Sequence, residues 1–173
     1  MFHRNTNNNV NGSVPKWRKS TRIERIDKLE LNGTTERIFP LLCPVLEYDW
    51  IRDWRCTMCY SDSGIAEMDT VFHTIEQMGR TAVWTCITYE PDTFIEYLVV
   101  SGKDVVMRLS LSLEQKSREK SVLTWRMLFT MTSHPGRVIT AKTFSEENFL
   151  KLTKTREKEI NKYLEHGAMF WKK

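Results

Sequence analysis

No apolar run in this 173-residue chain approaches the ~20 residues that a membrane helix needs. The first stretch, MFHRNTNNNVNGSVPKWRKS, lacks the apolar core of a secretory signal, so a cytoplasmic location is expected. Neither sign of charge dominates. Twenty-six basic residues stand among 22 acidic ones, for a formal net charge of +4, which favours solubility and gives no reason to expect nucleic acid. No P-loop, G-x-G-x-x-G, H-E-x-x-H or G-x-S-x-G occurs. That argues against nucleotide-binding, zinc-peptidase and serine-hydrolase chemistry.

Cysteine is sparse: Cys43, Cys56, Cys59 and Cys86. With no secretory signal read, reduced thiols are expected. Cys56 and Cys59 form a lone C-x-x-C inside WRCTMCYS, which reads as a strand. Side chains three apart on a strand point to opposite faces. A zinc pair sits on a turn and needs two more ligands, and His3, His73, His134 and His166 are scattered. A redox C-x-x-C opens a helix, which this one does not. No metal and no cofactor are expected.

What the chain does have is apolar content of 40% and aromatic content of 11%, with six tryptophans. That suits one domain with a single core and a large interior. Residues 1–20 are rich in Asn and basic groups and read as a disordered arm, with KWRK at 16–19. Residues 22–31 alternate as a first strand, ended by Gly33. Two short helices should follow, one from Thr34 through IFPLL, and one from Pro44 to about Trp54. Proline suits a first helical position because its missing N–H would be unpaired there.

From Trp54 to Thr132 six further strand-like runs are expected: WRCTMCYS, IAEMDTVFHTIE, RTAVWTCITYE, TFIEYLVVS, DVVMRLSLSLEQ and SVLTWRMLFTMT. The breaks between them are short and turn-like, which favours an antiparallel meander. Val105, Met107, Leu109, Leu111 and Leu113 alternate with Arg108, Ser110 and Ser112. Leu123, Trp125, Met127, Phe129 and Met131 alternate with Thr124, Arg126 and Thr130. One sheet face should therefore be buried and the other solvated. The inward faces of residues 65–74 and 81–89 stay ambiguous. From Thr143 to His166 the pattern is helical, with Thr143 and Glu146 fitting a capping box. Phe149, Leu152, Ile160, Tyr163 and Leu164 form its apolar stripe, and Gly167 is its stop. Such a helix would span ~36 Å and cross a sheet. The fold class is α+β: a curved antiparallel sheet around one long C-terminal helix, with a cavity between them.

Three segments carry a resemblance. ERIFPLLCPVLEYDWIRDW (36–54), LTWRMLFTMTSHPG (123–136) and INKYLEHGAMF (160–170) resemble the helix-grip superfamily of START, polyketide-cyclase and birch-pollen-allergen-like proteins, the first of them in one bacterial branch. The resemblance covers residues 21–170 as one domain. It implies a seven-stranded sheet gripping the C-terminal helix, and a hydrophobic pocket with the short helices near its mouth. Members bind lipids, sterols and polyketides, and some catalyse cyclisation or hydrolysis. No catalytic residue set carries across.

Within LLCPVLEYDWIRDW, a helix from Pro44 puts Glu47, Trp50 and Trp54 at i, i+3 and i+7 on one face. A carboxyl pressed against indole in a dry pocket has its pKa raised and becomes a general acid or base near neutrality. The plainer reading is a first-turn carboxylate favoured by the helix dipole, with tryptophans packed on the sheet. Glu47 is thus the best catalytic candidate. Trp50, Trp54, Tyr60, Trp84, Tyr97, Met107, Trp125, Met127 and Phe129 join it as candidate pocket residues, against the plain alternative that such a stripe is core. Asp49 should be exposed and pair with Arg52 or Arg55, contributing little. His73 and Asp69 would share a side but sit about 13 Å apart along a strand, so an outward polar face is expected. Arg108 and Arg126 should lie on the solvated face, with Glu96 as an acidic partner.

The expected function is binding of a small hydrophobic or amphipathic ligand. An aromatase- or cyclase-like enzyme using a mouth carboxylate is one alternative. An interaction module using KWRK or the AMFWKK end is another. A homodimer stays open.

Overall fold

The computed structural model describes residues 21–75 and 81–167. The expected arm, the AMFWKK end and the break at 77–79 between the runs IAEMDTVFHTIE and RTAVWTCITYE lie outside the described residues. Seven strands follow the alternating runs: β1 (Thr21–Leu31), β2 (Cys56–Tyr60), β3 (Val71–Ile75), β4 (Thr81–Glu90), β5 (Phe94–Ser101), β6 (Val105–Ser117) and β7 (Lys120–Met131). They form one antiparallel sheet in the order β1-β7-β6-β5-β4-β3-β2. The meander runs from β2 to β7, and β1 then closes beside β7.

The buried face is the expected one. Val105, Met107, Leu109, Leu111 and Leu113 of β6 are buried, as are Leu123, Trp125, Met127, Phe129 and Met131 of β7. The register stacks them in rows, with Met107 opposite Phe129, Leu109 opposite Met127 and Leu111 opposite Trp125. The structure resolves the two ambiguous strands. Phe72 and Thr74 of β3 face inward, with Ala82 and Cys86 of β4. Residues 61–70 are not strand but a turn-rich loop, organised by Glu67. Its Oε1 accepts from Ser61 Oγ at 2.8 Å, Asp62 N at 2.5 Å and Ser63 N at 3.0 Å.

The helical parts differ most from expectation. After β1 come α1 (Thr35–Ile38) and two 3₁₀ turns, Phe39–Leu42 and Leu46–Asp49. The expected α-helix from Pro44 to Trp54 is therefore one 3₁₀ turn with irregular flanks. At the other end, the expected single helix from Thr143 is preceded by a separate α2 (His134–Thr143), and α3 starts at Glu146 and runs to His166. Thr143 ends α2 rather than capping α3. The caps are serines: Ser133 Oγ accepts from Gly136 N at 3.0 Å, and Ser145 Oγ from Asn148 N at 3.3 Å. Gly167 closes α3 at φ 78°, a left-handed angle that glycine adopts without strain.

Side chains of α3 also cover the free edge of β1. Glu30 N donates to Glu157 Oε2 at 2.9 Å and Asn32 N to Asn161 Oδ1 at 2.7 Å, while Asn161 Nδ2 returns a bond to Glu30 O at 2.9 Å. The helix thus satisfies backbone groups that an edge strand otherwise exposes. This anchoring fixes α3, with Phe149, Thr153 and Ile160 buried, across the open side of the cavity.

Candidate functional site

A cavity of about 230 Å³ lies between the inner sheet face and the helices. Three groups of residues line it. The turn segment contributes Leu42, Pro44, Glu47, Ile51 and Trp54. The sheet contributes Phe72, Trp84, Tyr97, Met107, Trp125, Met127 and Phe129 among others. The helices contribute Ile139, Thr140, Phe144, Leu152 and Arg156.

Eight of the ten sequence candidates meet here: Glu47, Trp54, Trp84, Tyr97, Met107, Trp125, Met127 and Phe129. Two do not. Trp50 is fully buried in the core, and its Nε1 donates to Leu41 O at 2.9 Å. Tyr60 is 53% exposed, on β2 at the end of the sheet, and bonds Asp62. The shared helical face expected of Glu47, Trp50 and Trp54 does not exist, because no continuous helix carries them.

Three polar atoms of the aromatic wall are engaged by the protein itself. Trp54 Nε1 donates to Pro44 O at 2.8 Å, Trp84 Nε1 to Thr74 Oγ1 at 3.0 Å, and Tyr97 OH to Leu42 O at 3.3 Å. Phe72 stacks on Trp84 with centroids 5.4 Å apart, and Tyr97 meets both rings edge-on. Burial pushes the Tyr97 phenol well above its ordinary pKa. Trp125 Nε1 is buried without a partner.

Against this wall stands one carboxyl. Burial disfavours the charged form of Glu47 and pushes its pKa up to about 8, and the Arg156 guanidinium pulls only partly the other way. No described residue hydrogen-bonds the Glu47 carboxyl. Arg156 is itself engaged: its Nη1 donates to Glu159, and its guanidinium lies 6.0 Å from the Trp50 ring centroid. Sequence reading missed Arg156, since KTREKE looks like a solvated helix face. It also missed α2, although Ser133 followed by Pro135 is an N-terminal helix signal.

The other candidates fall outside the cavity. His73 lies on the outer face, opposite the exposed Val83, and Asp69 is not in a strand but in a left-handed turn at φ 63°. Glu96 pairs with Arg108 as expected and accepts from Ser110 Oγ at 2.6 Å. Burial alone would raise its pKa, but those two bonds outweigh it and hold the carboxyl below the ordinary value. Arg126 pairs instead with Glu24 at 2.6 Å. Cys56 and Cys59 are free thiols. Among the described residues, no cluster of His, Cys, Asp or Glu is placed to hold a metal, and no helix is long and apolar enough to cross a membrane.

No protein-family model and no curated protein matches the chain. Solved structures do. A norcoclaurine synthase point mutant from Thalictrum flavum, bound to a transition-state analogue, is 11% identical, with 88% of this chain and 100% of that one covered and a TM-score of 0.66. The Zhui aromatase/cyclase from Streptomyces sp. R1128 is 11% identical, with 83% and 96% covered and a TM-score of 0.64. An uncharacterised protein from Rhizobium leguminosarum is 10% identical, with 84% and 96% covered and a TM-score of 0.59. Likeness at these identities establishes the fold, and the fold is helix-grip.

Proposed function

We propose that this protein binds a compact hydrophobic or amphipathic molecule in the cavity beneath α3. The observation that carries the reading is an apolar and aromatic space of about 230 Å³ holding a single unpartnered carboxyl. Such a space exceeds the roughly 150 Å³ that accepts benzene. It falls short of the roughly 300 Å³ at which drug-sized sites begin. One or two rings, or a short branched chain, suit it. A four-ring sterol or a long acyl chain requires the cavity to expand. Structural neighbours support small-molecule use of this fold, since one norcoclaurine synthase structure holds dopamine and hydroxybenzaldehyde.

Apolar burial would drive binding, at ~25 cal/mol per Å² before ordering costs. The test is thermal unfolding and tryptophan fluorescence with a panel of one- and two-ring compounds. Binding raises Tm by mass action. The variant Met127→Trp, which fills the cavity, should abolish that shift. A panel that moves neither signal, or an unaffected variant, sinks the reading.

The raised pKa of Glu47 favours one second reading, general acid–base catalysis on the bound molecule. A group titrating near 8 both gives and takes protons close to neutral pH. Full turnover by Glu47→Gln on any substrate found would remove this role.

A further inference from the structure

We propose that the molecule this cavity takes is an amine, whose ammonium group pairs with the Glu47 carboxylate while its apolar body lies on the aromatic wall. The inference rests on the ligand-binding reading above and deepens it.

The charges decide the sign. Two ionisable groups of opposite charge line the cavity, Glu47 and Arg156. Arg156 already has its counterion, Glu159, and its guanidinium packs over Trp50. Glu47 has no hydrogen-bond partner among the described residues. A bound anion would have to share Arg156 with Glu159, and would sit between two carboxyls. A bound cation meets an acid that no described residue hydrogen-bonds, and only the Arg156 charge bears on it. Aromatic faces around it favour a cation further. Trp125 Nε1 is the one orphan donor in the wall, but it is covered on all sides and offers a ligand acceptor nothing without movement.

The step balances without any further reagent. The Glu47 carboxylic acid meets an alkylammonium ion, gives its proton to solvent, and remains as a carboxylate hydrogen-bonded to the ammonium. The groups that bear on Glu47 are Arg156 from α3, Tyr97 from β5 and Cys56 from β2. Burial pushes both the Tyr97 phenol and the Cys56 thiol up, so they stay neutral near pH 7. Glu47 is then the group that releases the proton.

The experiment is calorimetry on the full chain and on Glu47→Gln, with naphthylmethylamine, naphthylmethanol and naphthoic acid. Titrations at pH 7 in buffers of different ionisation enthalpy count the protons. The amine should bind at least about tenfold tighter than the alcohol, because a charge-assisted bond replaces a neutral one. It should release close to one proton. Glu47→Gln should lower the amine's affinity to about the alcohol's. Equal affinity for amine and alcohol, or an amine unmoved by Glu47→Gln, overturns the amine inference and leaves ligand binding standing. So does tightest binding by the acid. If none of the three binds, both readings fall.

Discussion

The indole N–H of Trp50 donates to the Leu41 carbonyl at 2.9 Å, which turns this ring into the core and away from the cavity beside it. Trp54 makes a matching bond to the Pro44 carbonyl at 2.8 Å, so the two indoles reach back nine and ten residues. The two bonds fold the 39–54 segment back on itself and hold Glu47 over the cavity.

Trp50 is therefore structural. Trp50→Phe removes the N–H, leaves the buried Leu41 carbonyl short of a partner, and opens a gap. The expected loss is about 3 kcal/mol. That lowers Tm by about 6–12 °C in a domain of this size. Ligand-induced stabilisation should survive. If the variant folds with unchanged Tm, Trp50 is not the anchor described.

Glu47 makes stability depend on pH. Its proton is held more tightly in the folded state, where the pKa is about 8, than in the unfolded chain, near the ordinary 4.5. The contribution of this group is greatest below pH 4.5, falls as pH rises to 8, and loses no more beyond. The slope is at most about 1.4 kcal/mol per pH unit. Glu47→Gln cannot ionise and escapes this loss. Its advantage in urea unfolding should be absent at pH 4 and grow toward pH 8. An equal difference at both ends contradicts the assignment.

Arg156 moderates the same carboxyl. Arg156→Met removes the charge that draws the Glu47 pKa down, so the titration midpoint should move above 8. Carbon-detected NMR of the Glu47 carboxyl reads this directly. A midpoint that stays or falls would mean that Arg156 does not act on it.

Gly136 fixes the start of α2 against the β5–β6 turn. A β-carbon there would stand 2.2 Å from the Asp104 carbonyl oxygen, which also accepts from Thr132 N at 2.9 Å. Gly136→Ala must displace backbone, at a cost of about 1–3 kcal/mol. Since Ile139, Thr140 and Phe144 line the cavity, ligand affinity should fall as well. Unchanged chemical denaturation would show that the contact relaxes freely.

The sheet was legible because alternation is a local property. A strand buried on one face needs apolar residues at every second position, and β6 and β7 carry that pattern over nine residues each. The cavity wall from Met107, Trp125, Met127 and Phe129 followed from it. The 44–54 segment was not legible in the same way. A spacing of i, i+3 and i+7 marks one face only if the chain is helical throughout. Here two indole-to-carbonyl bonds, made through tertiary packing, compete with the helical ladder. A strand was also overread at 65–70, where Glu67 gathers hydroxyl and backbone donors into a loop.

By itself, the sequence determined the succession of the strands along the chain, the buried face of β6 and β7, the stop at Gly167 and the resemblance to the helix-grip fold, because each is written in neighbouring residues. Only the tertiary structure decided that Trp54 faces the cavity while Trp50 and Tyr60 do not, that Arg156 reaches it from a charged helix, and that Glu47 stands there without a hydrogen-bond partner among the described residues. Those facts depend on groups more than 100 residues apart in the chain meeting across a core. Desolvation and pairing, unlike periodicity, exist only once that core has formed.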